Sequence, residues 1–229
     1  KSCGLTTSIV SNGTKMTEEW LTKIRPHLDW LGLSIDASND EMHALMGRGL
    51  KGEIASGFSR HLERSKEVWQ IARELGYGLK LNTVVTSVNA DDDMSELVAN
   101  LKPHRWKVFR VLRIEGENDG RVEPLLVSQE QFEDYMVRHR RSLQDFEGTH
   151  IVAEDNEDML GTYAMIDPKG RAYTNKNGRY LYSNKSCIEV GFSDAWNEVV
   201  TGFSETRFSD RGGDWDWKKA EWNLPLPVL

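Results

Sequence analysis

The sequence predicts an α/β fold on a parallel sheet, from three observations. β-prone runs alternate with helix-spaced segments through the first half of the chain. Several of those runs carry polar residues on one face only. The composition supports a sizeable core: 38% of the 229 residues are hydrophobic, and 19 glycines bring that class near the usual share for a globular chain. The β-prone runs are residues 5–10 (LTTSIV), 30–35 (WLGLSI), 79–85 (LKLNTVV) and 106–114 (WKVFRVLRI). Between them, residues 16–24 place Trp20, Leu21 and Ile24 at helical spacing, and Pro26 stops that helix. Residues 39–46 put Met42, Leu45 and Met46 on one face. Residues 58–75 repeat Phe58, Leu62, Trp69 and Leu75, with Gly76 as the C-terminal stop. Residues 91–101 repeat Met94, Leu97, Val98 and Leu101, and acidic residues at their start suit a helix N-terminus.

Beyond residue 114 the pattern changes. Residues 115–121 (EGENDGR) read as a loop. Ser128 and Gln131 form a capping box for a helix running to about residue 143. Short strands follow at 149–153, 163–166, 171–173 and 179–182, separated by the turn strings DPKG and NKNG. A short helix is expected near 194–200, residues 211–222 are rich in Gly, Trp and Lys, and residues 224–229 (LPLPVL) read as irregular.

Composition excludes several function classes. No run of about 18 apolar residues exists to form a membrane-spanning helix. The net charge of −7, from 36 acidic and 29 basic residues, has the wrong sign for coating a polyanion, so polymeric nucleic acid is not expected as a partner. Cys3 and Cys187 are the only cysteines, too few for a Cys-based zinc site or a disulfide framework. The chain starts at Lys1 with no signal-like segment and reads as a piece of something longer. There is no P-loop, GxGxxG or GxSxG string. His27, His43, His61, His104, His139 and His150 show no metal-ligand spacing, and solvent-facing positions are expected for them.

The chemistry lies in the strands. In residues 78–84, Leu79, Leu81 and Thr83 share one face while Lys80 and Asn82 share the other. In a βα sheet the apolar face meets helices, so Lys80 and Asn82 point into a lumen or cleft; a solvated edge strand is the competing reading. Other strands repeat the pattern. Gly32, Ser34 and Asp36 alternate with Leu31, Leu33 and Ile35, and Arg105 and Lys107 alternate with Trp106 and Val108. Polar groups near the C-terminal ends of successive parallel strands are where α/β active sites are built. Lys80, Lys107 and Arg48 of the GRG string (47–49) could converge on one anion, and three cations suit a polyphosphate. From the residues alone this is an α/β half-barrel with an anion-binding cleft and no assigned reaction.

Seven strings resemble those of the viperins, radical S-adenosylmethionine (SAM) enzymes, in the same order and with similar spacing: SIVSNG (8–13), LSID (33–36), MGRG (46–49), KLNTV (80–84), RWKVF (105–109), IEGEN (114–118) and RGG (211–213). The resemblance implies a partial (βα)6 TIM-like barrel with an α+β C-terminal extension. Residues 1–118 would be the C-terminal βα units, and 119–229 an extension covering the nucleotide site. It implies SAM and a 4Fe–4S cluster as cofactors, with the CxxxCxxC ligands and the GGE motif expected before Lys1; neither cysteine here matches that motif. Residue by residue, Asn12 and Ser34 are similar to groups of the SAM pocket. Arg48, Lys80, Asn82, Lys107 and Tyr163 are similar to groups that hold a nucleoside triphosphate, Asn82 being open between the two ligands. Ser34 as a backbone-bonded hydroxyl and Tyr163 as core packing are the competing readings. The family reaction uses a 5′-deoxyadenosyl radical to take the 4′ hydrogen of CTP or UTP and gives a 3′-deoxy-3′,4′-didehydro nucleotide that terminates viral transcripts. No residue is named as catalytic. A non-catalytic, truncated half-barrel that binds a nucleotide or a protein is the alternative. Iron–sulfur loading machinery is an implied partner, and the implied location is cytoplasmic, or on the endoplasmic reticulum or lipid-droplet surface where an upstream anchor is present.

Overall fold

The computed structural model describes residues 3–216. The irregular stretch expected at residues 224–229 lies outside the described residues. Five parallel strands form the main sheet in the order β1 (Ser8–Ser11), β2 (Trp30–Ser34), β3 (Gly78–Val85), β4 (Arg105–Arg110) and β5 (His150–Glu154). Sequential order with parallel pairing requires each connection to return over the sheet, and the right-handed rule puts all of them on one side. The connections carry α1 (Glu18–Ile24), α2 (Asp40–Leu45), α3 (Lys51–Ala55), α4 (His61–Glu74), α5 (Ser95–Leu101) and α6 (Gln129–Ser142). The fifth strand lies beyond the expected division at residue 118, so the sheet draws on both halves of the chain.

The helices start where their sequences allow. Thr17 caps α1 by accepting from the Trp20 amide, and Asn39 caps α2 through the Met42 amide. Ser128 and Gln131 form the expected capping box of α6. Leu21, Leu62, Val68, Trp69, Met94, Leu97, Val98, Phe132 and Met136 pack from the helices onto Leu31, Leu33, Leu79, Leu81, Trp106 and Val108 of the sheet. The Trp69 indole donates to the Leu101 carbonyl at 2.8 Å and the Trp106 indole to the Thr83 hydroxyl at 3.0 Å, so two large rings are buried without stranding a donor.

The last part of the chain builds a small antiparallel sheet, β6 (Met165–Ile166), β7 (Arg171–Thr174) and β8 (Leu181–Ser186), after α7 (Asn156–Met159). It is followed by α8 (Cys187–Val190), α9 (Phe192–Asn197) and α10 (Glu205–Asp210). Among the described residues no helix is long and apolar enough to cross a membrane.

Several expectations are corrected. The long helix starts at His61 instead of 58, and α3 precedes it as a separate turn that periodicity did not reveal. Glu53 makes that turn possible: its carboxylate accepts from the Leu50 amide at 3.0 Å and pairs with Arg64. The strand expected to reach residue 114 stops at Arg110. On α2 the apolar face was misplaced, for Leu45 is exposed and His43 is fully buried. His43 Nε2 accepts from the Asp36 and Ala37 amides while Nδ1 lies 2.8 Å from the Asn39 carbonyl, and burial drives its pKa down to about 4. His61, His104 and His139 are likewise buried instead of solvent-facing, each beside a backbone group.

One close approach shapes the other side of the sheet. Trp30 and Gly78 are register partners, and a Cβ on Gly78 would overlap the Trp30 indole. Gly78→Ala is expected to destabilise the protein by about 1–3 kcal/mol through overpacking. Gly52→Ala within α3, where a Cβ meets nothing within 4 Å, is expected to stabilise by about 0.5–1 kcal/mol. Urea denaturation of both variants checks this; equal midpoints contradict the packing described.

Candidate functional site

The face of the main sheet opposite the helices is polar. Register aligns Gly32 with Lys80 and Lys80 with Arg105, and in the next layer Ser34 with Asn82 and Asn82 with Lys107. Residues paired in this way share a face, so the alternation seen in the sequence places Ser34, Lys80, Asn82, Arg105 and Lys107 together. Gly32 makes room for this. Its Cα carries nothing, and a Cβ there would lie 3.0 Å from Lys80 Cε. Lys80, Arg105 and Lys107 are all more than nine-tenths buried.

One carboxylate joins this face to the C-terminal segment. Glu154, the last residue of β5, is fully buried. Its Oε1 pairs with Lys107 and accepts from Arg211 Nη1 at 2.7 Å, while the Tyr163 hydroxyl donates to Oε2. Arg211 also donates to the Thr162 carbonyl at 2.9 Å and stacks over the Tyr163 ring at 4.2 Å. Burial opposes the charge of Glu154, but the Lys107 cation, the Tyr163 hydroxyl and Arg211 outweigh it, and the carboxyl sits below its ordinary range. Burial lowers Lys107 to about 8 against the pull of Glu154, with Arg211 and Arg105 adding to the drop. Burial also lowers Lys80 to about 8, helped by the Lys107 and Arg105 cations. Both lysines are therefore protonated at neutral pH and close to titrating.

The RGG string explains how Arg211 gets there. Gly212 adopts a left-handed φ of 73°, and a Cβ on Gly213 would overlap the Phe208 carbonyl. The Gly212 carbonyl accepts from Arg105 Nη2 at 2.6 Å, and Arg105 stacks on Trp215 at 4.6 Å. The sequence showed RGG as a string without a role, and it gave no sign of Glu154, which sits at the end of an ordinary-looking strand.

The other expected residues are placed differently. Arg48 does not join the two lysines in one contact set. Its Nη2 lies 2.5 Å from Asp36 Oδ2, in a pocket of about 350 Å³ lined also by Val84, Thr86 and Val111 near the C-terminal ends of β2 and β3. Burial raises the pKa of Asp36, with Arg48 opposing. Asn12 lies in the turn after β1, accepts from the Thr14 amide at 3.2 Å, and lines a pocket of about 510 Å³ at the sheet edge with Ile9, Met16 and Trp20. Ser34 is half-buried, and its carbonyl accepts from His61 Nε2 at 2.8 Å if that nitrogen carries the proton. Asn82 Oδ1 is buried without a hydrogen-bond partner. An orphaned acceptor on a cationic face suits a ligand that brings its own donor, such as an ammonium or a sugar hydroxyl. The donor set thus fits SAM or a nucleotide. A 4Fe–4S cluster does not fit: it needs three thiolates, and Cys3 is exposed while Cys187 lies on α8. Among the described residues no group of three His, Cys, Asp or Glu could hold a metal ion.

No family model matches the chain. Among curated proteins, S-adenosylmethionine-dependent nucleotide dehydratases are similar to it. That of Flammeovirga pacifica is 38% identical over 217 residues, 94% of this chain and 69% of that protein. Those of Lacinutrix mariniflava and Danio rerio are 35% and 36% identical over 95% of this chain, of which it spans 43% and 58%. Two solved structures share the fold at low identity. Native anSMEcpe with bound AdoMet has a TM-score of 0.57 at 14% identity, covering 86% of this chain and 59% of that one. Streptococcus suis SuiB bound to S-adenosylmethionine has a TM-score of 0.57 at 12% identity, covering 90% and 50%. The ordered strings, the polar face of the parallel sheet and relatives at this identity agree, and the chain belongs to the S-adenosylmethionine-dependent nucleotide dehydratases, the viperin family of radical SAM enzymes.

Proposed function

We propose that this chain binds and orients the ribonucleoside triphosphate of a viperin-type dehydratase, with CTP or UTP as substrate and the 3′-deoxy-3′,4′-didehydro nucleotide as product. The observation that carries this reading is the buried, positively charged sheet face of Lys80, Arg105 and Lys107, with the orphaned Asn82 acceptor beside it. Four cations of this region, Lys80, Arg105, Lys107 and Arg211, act with one carboxylate, Glu154, and the excess positive charge suits a triphosphate, which meets cations with charge-assisted hydrogen bonds.

In this reading the main sheet is the C-terminal portion of a partial (βα)6 barrel, and the segment carrying Tyr163 and Arg211 covers the nucleotide. Lys80 and Lys107 hold phosphate oxygens, which fixes the ribose relative to Ser34 and Asn82. Tyr163 and Arg211 close over the ligand and exclude water. SAM, when bound, supplies the hydrogen-abstracting chemistry of the family. Asn12 and Ser34 belong to its pocket, and Arg48, held by Asp36, extends the cationic surface toward the strand ends. A second reading, a nucleotide-binding module without turnover of its own, is favoured by the presence of only two cysteines.

Calorimetry with CTP and UTP tests binding. Lys80→Ala and Lys107→Ala are each expected to weaken triphosphate affinity by roughly tenfold or more, since a hydrogen bond to a charged group contributes about 1.5–3 kcal/mol. Unchanged affinity in both variants contradicts the assignment. Formation of a dehydrated nucleotide by the full-length protein separates the two readings.

The pH dependence is a separate expectation. Both lysines titrate at about 8, and the charged form is the one that binds phosphate. Triphosphate affinity is therefore fully present below that value and lost as pH rises through it, whereas ordinary lysines would hold it to about pH 10. Affinities measured from pH 6.5 to 9.5 check this; a flat profile across pH 8 contradicts it.

A further inference from the structure

We infer that Glu154 is a positioning residue of the anion site, registering Lys107 on the sheet against Arg211 and Tyr163 on the C-terminal segment. The inference deepens the nucleotide reading and rests on it. Three groups far apart in sequence meet on one buried carboxylate: Lys107 from β4, Tyr163 from the segment before β6, and Arg211 from the end of α10. Arg211 is 57 positions from Glu154, and nothing local holds it at the sheet. Its remaining contacts, to the Thr162 carbonyl and the faces of Tyr163 and Phe208, lie within the C-terminal segment. Glu154 is thus the bond through which the Arg211 guanidinium grips β5. Beside it, Arg105 makes a second tie, to the Gly212 carbonyl.

Electrostatics gives the inference a sign that separates it from a simpler alternative. A carboxylate beside an anion site repels the ligand. If Glu154 were only a counter-ion standing in for phosphate, removing its charge would tighten triphosphate binding. If it sets the geometry, removal loosens binding, because Lys107 and Arg211 separate when their shared partner goes. The groups facing Lys107 are Glu154, Arg211, Arg105 and Lys80. Glu154 is the sole anion among these, so without it the lysine loses its proton at lower pH.

The experiment compares Glu154→Gln and Glu154→Asp with the parent in the full-length protein. Triphosphate affinity is followed by calorimetry with CTP and UTP from pH 6.5 to 9.5, and the Lys107 side-chain ammonium is titrated by nitrogen-15 NMR without nucleotide. Glu154→Gln is expected to move the Lys107 midpoint to lower pH and, compared below that midpoint where the lysine is still charged, to weaken binding by roughly tenfold. Glu154→Asp keeps the charge one methylene further back, and is expected to restore the midpoint while recovering the affinity only in part. Thermal denaturation shows whether the Gln variant folds; if it does not, the Asp variant carries the test through its partial loss of affinity at a parental midpoint. Tighter or unchanged binding in Glu154→Gln, or full parental affinity in Glu154→Asp where only that variant folds, overturns the inference while leaving the nucleotide reading intact. Absence of heat with the parent protein overturns the nucleotide reading, and this inference with it.

Discussion

The buried carboxylate of Glu154 is the contact on which the polar side of this molecule depends. Lys107 and Arg211 are both more than nine-tenths buried, and each would carry a desolvation cost of several kcal/mol if left alone. A single anion meets both, and Tyr163 completes its coordination. The same contact ties the last strand of the main sheet to a segment more than fifty residues later. The parallel sheet and the segment carrying Arg211 are therefore tied at this point by an ion pair.

The two faces of the main sheet divide the work of the chain. Helices α1, α4, α5 and α6 cover one face with aliphatic and indole side chains, and that burial supplies the hydrophobic term of folding. The other face is polar, with Trp30 lying over Gly78 at its N-terminal end and cations in the layers above. Gly32 and Gly78 matter for the same reason. Each removes a side chain where a neighbour's bulk, the Lys80 stem or the Trp30 ring, must cross the strand.

Much of this was legible in the sequence, and what was not has a physical reason. Strand alternation placed Lys80, Asn82 and Lys107 on one face because period 2 is set by backbone geometry alone. Helical periodicity found α5, although it starts at Ser95 instead of 91; its Leu97, Val98 and Leu101, and Met94 just before it, are buried as expected. It failed on α2, where a histidine satisfied by backbone amides took the inward position that Leu45 was expected to hold. It also failed on α3, a five-residue turn that carries no apolar stripe and whose Glu53 caps it through the Leu50 amide and pairs with Arg64. Glu154 was invisible because its role depends on partners brought in by tertiary folding. Arg48 was read as converging with the lysines because charge alone was visible. Its partner Asp36, twelve positions earlier, fixes it at the strand ends.

The polar face of the parallel sheet is proposed to hold a nucleoside triphosphate. Lysine acetylation followed by mass spectrometry, with and without CTP or UTP, tests it most directly. Nucleotide is expected to protect Lys80 and Lys107 by severalfold while exposed Lys66 and Lys169 react as before. Equal labelling of Lys80 and Lys107 with and without saturating nucleotide would contradict it.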